Sequence, residues 1–185
     1  MKSAWLVGGK MQQLIECMKS GFTEIDVSLT DENWNQSVPE KSGWYYFSTN
    51  TPVSVFKSLN TPPSTYKNKN GKVIPCMNYN LTEKANDNFQ EINLNSIIIT
   101  IPEFYAVYSG HAKDLKSRSK EHTFSHPGTA GLALSNYDKL KEFKWSFFYK
   151  PISDVSFNYS NDKLVRVAGE QVCRSLHGWP LLCSE

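Results

Sequence analysis

The sequence predicts an α/β chain of the α+β kind, with a small, mainly antiparallel central sheet flanked by helices. Three observations carry that expectation. The aromatic runs Gly43-Trp44-Tyr45-Tyr46-Phe47 and Trp145-Ser146-Phe147-Phe148-Tyr149 have the composition of strands. Other segments place apolar residues three and four apart, as helices do. The two kinds of segment are interspersed, but their connections are too irregular for repeated β-α-β units.

Taken in order, Met11, Leu14, Ile15 and Met18 give residues 10–19 one apolar helical face, with Gly21 placed to end it. Gly8-Gly9-Lys10 lacks the spacer and the following Ser or Thr of a phosphate-binding loop. A strand is expected near 23–29, followed by a loop rich in Asp, Asn and Ser. Gly43 to Phe47 forms the next strand. Asn70-Gly71 is a hairpin turn signal. Residues 60–95 are poor in apolar residues and are expected to contribute little core. Ile97 to Ile101 and Phe104 to Tyr108, separated by Pro102, form one bulged strand or two strands. Residues 111–122 are expected to be a helix, with Ala112, Leu115 and Ser119 on one side. Trp145 to Tyr149 is a strand closed by Pro151. Leu164, Ala168, Val172 and Leu176 repeat every four residues, so 162–177 is a helix, stopped by Gly178 before Pro180.

The chain of 185 residues fits a single domain, 1–185, with 1–42 as an N-terminal extension. Charged residues are 21% and apolar residues 39% of the chain, a globular balance that excludes full disorder. No apolar run approaches the ~18 residues of a membrane helix. The apolar stretch near the first Met is too short for a secretory signal. The expectation is a soluble, cytoplasmic protein with no membrane partner. Cys17, Cys76, Cys173 and Cys183 form no Cys-x-x-Cys pair and read as free thiols in a reducing compartment.

Net charge is only +2, but it is unevenly spread. Residues 1–40 are net −3, 41–150 net +6 and 151–185 net −1. Positions 41–82 contain five lysines, among them Lys57, Lys67, Lys69 and Lys72, and no acid. A second basic cluster holds Lys113, Lys116, Arg118 and Lys120. Such asymmetry fits a polyanionic partner in the middle of the chain; the plainer alternative is an uneven solvated surface.

The residues with chemistry to offer fall into one ordered constellation. Tyr45 follows Gly43-Trp44 on a strand, and Tyr108-Ser109-Gly110 closes another. Arg118 lies eight residues after Gly110, and His122 four further on, so both project from one helical face. Glu170 sits on the later helix, upstream of Trp179-Pro180-Leu181-Leu182.

This order resembles the GIY-YIG nuclease superfamily. Gly43-Trp44-Tyr45 stands for its first motif and Tyr108-Ser109-Gly110 for its second. Arg118, His122 and Glu170 follow in matching order. The histidine resembles the restriction-endonuclease branch in particular. The match covers roughly residues 43–50 and 104–183. Three features depart from the family pattern. Trp44 and Ser109 replace isoleucines. Tyr45 and Tyr108 are 63 residues apart, much farther than usual, which implies a large insertion at 51–100. The usual terminal asparagine is replaced by Cys183 or lost.

The resemblance implies a divalent-metal-dependent endonuclease that hydrolyses DNA phosphodiester bonds, with a sequence-specific restriction-type enzyme as one form of that activity, and with Mg²⁺ or Mn²⁺ as cofactor and double-stranded DNA as partner. It assigns Tyr45, Tyr108, Arg118, His122 and Glu170 to catalysis and Glu170 to the metal. The chemistry agrees with those residue types. A guanidinium suits phosphate oxygens and stays protonated. One carboxylate suits Mg²⁺, which keeps waters and binds substrate phosphate. A tyrosine has a reference pKa of about 10, so Tyr45, ranked here above Tyr108 as base, needs help to ionise. His122 would take that proton or bind the phosphate, and Tyr108 would orient water or phosphate. In the insertion, Lys57, Lys67, Lys69 and Lys72 are expected to contact DNA, joined by Lys113, Lys116 and Lys120. A palindromic cutter needs two active sites, as a homodimer or through two successive nicks.

Each residue also has an ordinary alternative. Arg118 can pair with Asp114, Glu170 with Arg166 and Arg174, the tyrosines can be core aromatics, and His122 a cation at a helix end. A catalytically inactive nucleic-acid-binding domain of the same fold is the alternative function. A third possibility is a transferase or an interaction module with a chance match. No chelating triplet for zinc is evident.

Overall fold

A computed structural model describes residues 3–91, 99–101, 104–155 and 159–183. Its centre is a five-stranded antiparallel sheet of β1 (Thr23–Asp26), β2 (Gly43–Thr49), β5 (Ile99–Ile101), β6 (Phe104–Ala112) and β7 (Trp145–Pro151), in the order β1-β7-β2-β6-β5. A separate hairpin pairs β3 (Thr65–Lys67) with β4 (Val73–Pro75). The helices are α1 (Ser3–Lys19), α2 (Val53–Phe56), α3 (Leu81–Glu91), α4 (Leu115–Thr123) and α5 (Asp162–His177). The α+β class with a small antiparallel sheet and flanking helices is as the sequence predicts.

The central strand β2 is buried on both faces because its neighbours, β7 and β6, carry helices on both sides. On one face Tyr45 and Phe47 pack with Phe147, Tyr149, Val107 and Leu115 of α4. On the other, Trp44 packs with Leu14 and Met18 of α1 and Cys173 of α5. The Trp44 indole donates to the Arg166 carbonyl at 2.8 Å, which fixes α5 against the strand. Alternation along β2 thus assigns odd positions to the α4 side and even positions to the α1 and α5 side.

Several expectations change in detail. The helix expected over 111–122 begins only at Leu115, because β6 stays paired with β2 as far as Ala112, opposite Gly43. Asp114 then caps α4 by accepting from Ser117 N at 3.1 Å. Gly110 is therefore a strand residue opposite Tyr45, not a strand-to-helix turn. Helix α1 runs through Gly8-Gly9 and extends well before residue 10. Of the two alternatives left open for the stretch from Ile97 to Tyr108, two antiparallel strands form, at 99–101 and 104–112; Ile97, Ile98 and Pro102 lie outside the described residues.

The helix at 162–177 has the expected bounds, with Asn161 at its N-cap and Gly178 (φ 97°) at its end. Its buried face is shifted by one residue. Gly169 and Cys173 face the sheet, and Leu164 is 64% exposed.

Among the described residues of 60–95 only Leu81 and Ala85 are buried apolar residues, and with Phe56 and Leu59 of the preceding segment they join the same core as Tyr45 and Phe147. Leu81 and Ala85 are one helical turn apart, so α3 has a narrow apolar stripe that composition alone hides. The Thr82 hydroxyl donates to the carbonyls of Phe56 and Leu59, joining α3 to α2. The expected turn at Asn70-Gly71 does connect β3 to β4, with Gly71 at φ 74°.

The N-terminal extension also belongs to the fold. β1 pairs with β7, and Trp34 and Asn35 reach α4, donating to Thr123 Oγ1 at 3.1 Å and to the Lys116 carbonyl at 2.8 Å.

Candidate active site

Tyr45 points from β2 toward α4, and its partner across the ladder is Gly110. A Cβ at Gly110 would stand 2.6 Å from the Tyr45 hydroxyl oxygen. Only glycine leaves room for the phenol to lie across β6. Tyr108, two residues earlier on the same face of β6, stacks with Tyr45 at 6.3 Å between ring centres. Helix α4 supplies the rest. His122 Nε2 is 2.8 Å from Tyr45 Oη, and Arg118 Nε donates to the same oxygen at 3.3 Å.

The backbone N–H of Leu132 donates to His122 Nδ1 at 3.3 Å. With Nδ1 accepting, a neutral imidazole carries its proton on Nε2 and donates it to Tyr45. Burial, with Arg118 nearby, holds the His122 pKa well below its ordinary value, so the ring is neutral. In this arrangement His122 does not take the Tyr45 proton, as the sequence reading allowed. It is a donor. Tyr45 Oη therefore receives two N–H groups, and its own proton is left to point elsewhere.

Burial raises the Tyr45 pKa against the pull of Arg118. Burial likewise raises that of Tyr108, whose ring lies 6.1 Å from that of Tyr79 of the insertion. Burial opposes the charge on Arg118, but Tyr45 and Glu121 outweigh it and its pKa rises. Its Nη1 donates to Glu121 at 2.8 Å and to the Ala130 carbonyl at 2.7 Å. Asp114, the ordinary partner expected for Arg118, is engaged in the helix cap instead.

Glu170 approaches from the other side of the sheet, on α5. Its Oε1 meets Arg174 at 2.6 Å, and its Oε2 faces His111 Nε2 at 3.6 Å. Of the two flanking arginines only Arg174 pairs with it. Arg166 binds Asp162 at 2.7 Å and donates to His111 Nδ1 at 3.0 Å. A guanidinium can only donate, so His111 also presents its Nε2–H outward, toward Glu170. Burial raises the Glu170 pKa against Arg174, and burial, followed by Arg166, lowers that of His111.

Strand β6 runs between the two groups, with Gly110 opposite Tyr45 and His111 facing Glu170. β5 pairs only with Phe104 and Tyr105, so beyond them the outer edge of β6 has no partner strand among the described residues. The C-terminal segment covers part of it. Leu182 N donates to the Val107 carbonyl at 2.7 Å, and Ser109 N donates to Cys183 Sγ at 3.3 Å. Cys183 thus fills the position after the Pro-Leu-Leu turn and holds the edge of the second motif.

Comparison with known proteins adds no relative: no family model matches the chain, and neither the curated proteins nor the solved structures give a significant match.

Among the described residues no group of three or more His, Cys, Asp or Glu is gathered for a metal ion. Glu170 Oε2 is the carboxylate oxygen not engaged by Arg174. One such ligand suits Mg²⁺, which draws its remaining ligands from water and phosphate, and does not suit a structural zinc site.

The seven lysines expected at DNA fall in different settings. Lys116 pairs with Glu40 at 3.1 Å and Lys120 with Glu32 at 3.2 Å, so the acidic extension lies over the basic side of α4. Lys113 is exposed just before α4, and Lys57 follows α2. Lys67, Lys69 and Lys72 are exposed on the β3–β4 hairpin. Sequence reasoning missed His111, which follows Gly110 directly and whose imidazole beside the motif was a usable signal. It also missed Tyr79 and Leu132, whose roles depend on tertiary packing.

Proposed function

We propose that the protein is a divalent-metal-dependent endonuclease that hydrolyses DNA phosphodiester bonds, as its resemblance to the GIY-YIG nucleases implies. The observation that carries this reading is the Tyr45 hydroxyl, held by N–H donors from Arg118 and His122 beside Tyr108. A core tyrosine needs one hydrogen-bond partner; two donors, one of them a guanidinium, favour oxygen carrying negative charge. Tyr45 takes a proton from the attacking water once its own phenolic proton has left to bulk water, and Arg118 and His122 stabilise that phenolate against the burial that disfavours it. Arg118 also offers charge to the phosphoryl oxygens, and Tyr108 orients water or phosphate. Mg²⁺ or Mn²⁺ held through Glu170 would offset charge on the phosphoryl and leaving oxygens.

Incubating supercoiled plasmid with the protein in Mg²⁺, Mn²⁺ or EDTA tests the reading. Nicking or linearisation in metal and none in EDTA is expected. Binding without cleavage in either metal would favour the inactive nucleic-acid-binding alternative, for which the Glu170–Arg174 ion pair and Cys183 in place of asparagine speak.

A further inference from the structure

The β3–β4 hairpin is a two-stranded ribbon with two unlike faces. Tyr66 and Ile74 sit opposite each other and turn partly inward. Tyr66 packs edge-on against His126, and its hydroxyl occupies the space where a Cβ at Gly128 would stand. The other face carries the cross-strand neighbours Thr65 and Pro75, then Lys67 and Val73, all exposed. Val73 is 57% exposed, an apolar group placed beside a lysine and open to solvent. Lys69 and Lys72 extend the same charge to the turn. No acid occurs between 41 and 82 to balance these lysines, whereas the α4 lysines are paired with Glu32 and Glu40.

The hairpin is firmly mounted on the loop that serves the site. Beyond β4, Met77 N donates to the Pro127 carbonyl at 2.6 Å and Tyr79 N to the Gly131 carbonyl at 2.9 Å. Asn78 lies 3.0 Å from Ser125 Oγ. From its other side the same loop is held by Arg118, through the Ala130 carbonyl, and by His122, through Leu132 N. A duplex touching the ribbon is therefore set at a fixed offset from Tyr45.

We infer that this hairpin enters the major groove of duplex DNA and reads base edges with its outward face, Lys67 and Val73 forming the central reading pair. The major groove admits a two-stranded ribbon. A lysine ammonium suits the O6 and N7 acceptors of guanine, and an apolar side chain suits the thymine methyl. Lys69 and Lys72 contact flanking phosphates, which set affinity but carry no sequence information. The inference rests on DNA being the substrate of the site, but its test does not require cleavage.

The test is equilibrium binding in EDTA, with the full chain and a pool of random-sequence duplexes whose retained fraction is sequenced. The wild-type protein is expected to enrich a short motif. Affinity for that motif should fall roughly 10-fold or more in Lys67→Ala/Val73→Ala, with enrichment lost at two or three positions. Replacing guanine by 7-deazaguanine, which alters only the major groove, should weaken wild-type binding, and saturating the minor groove with distamycin should not. Lys69→Ala/Lys72→Ala should lower affinity for all sequences alike and reduce the salt slope by about 2. These positions are exposed, and unchanged circular dichroism confirms that the variants are folded. The same motif and affinity in Lys67→Ala/Val73→Ala would overturn the inference. So would indifference to 7-deazaguanine, or binding to anionic lipid vesicles in place of duplex. A failure of cleavage alone, with the motif retained, would overturn the nuclease reading and leave the ribbon standing.

Discussion

The Tyr45 hydroxyl and His122 Nε2 lie 2.8 Å apart, both side chains buried, and the contact ties the central strand β2 to helix α4. Arg118 shares that oxygen at 3.3 Å. Tyr45→Phe removes the acceptor and strands two donors in the interior. The variant should lose about 1–3 kcal/mol of stability, measured by urea denaturation. If Tyr45 is the base, plasmid cleavage should fall on the order of 100-fold or more.

The buried imidazole also makes stability depend on pH. His122 is held neutral when folded, with its pKa below the unfolded value of about 6.5. The unfolded chain therefore binds a proton that the folded chain refuses as pH drops below that value. Its contribution is intact above about pH 7 and is lost progressively as pH falls through 6.5 toward the lower folded pKa. Melting temperature should decline between pH 7 and 5. In His122→Gln, which lacks the titrating group, that decline should be shallower, even though the variant starts from a lower melting temperature.

Gly110 is expected to tolerate no side chain. An added methyl at this position would stand 2.6 Å from Tyr45 Oη and 2.8 Å from its Cζ. Gly110→Ala must push the phenol off Arg118 and His122 or part β6 from β2. A loss of about 1–3 kcal/mol follows from the overpacking, read by thermal unfolding, together with a fall in cleavage rate comparable to that of Tyr45→Phe.

The acidic extension competes for the basic side of α4. Glu32→Gln with Glu40→Gln releases Lys120 and Lys116. Exposed pairs contribute at most about 1 kcal/mol each, so folding stability should hardly change. Affinity for duplex DNA should rise roughly two- to fivefold per freed lysine at low salt, on the same energy scale. Titration at two ionic strengths checks both parts, because the gain should shrink as salt rises.

What could be read from the sequence follows from what was local. The aromatic strands at Gly43 and Trp145, the Asn70-Gly71 turn and the bounds of α5 are set by composition and nearest neighbours. The spacing of Arg118 and His122 on one helical face was legible too, and the structure does bring both to Tyr45. The end of β6 was not, because pairing of Gly43 with Ala112 keeps the strand extended where the local sequence favours a helix. The buried face of α5 was misread because Leu164 and Leu176 are more apolar than Gly169, yet glycine is what lets Trp44 approach the helix. The role of His122 as donor was hidden for a similar reason: it depends on Leu132 N, ten residues away on a loop.

Cleavage of supercoiled plasmid in Mg²⁺ under excess enzyme tests the central claim most directly, comparing wild type with Glu170→Gln. The account predicts metal-dependent nicking by wild type and a fall of at least about 100-fold in the variant, with circular dichroism unchanged. Equal cleavage by the two proteins, or none by a wild type that is folded and binds DNA, would contradict it.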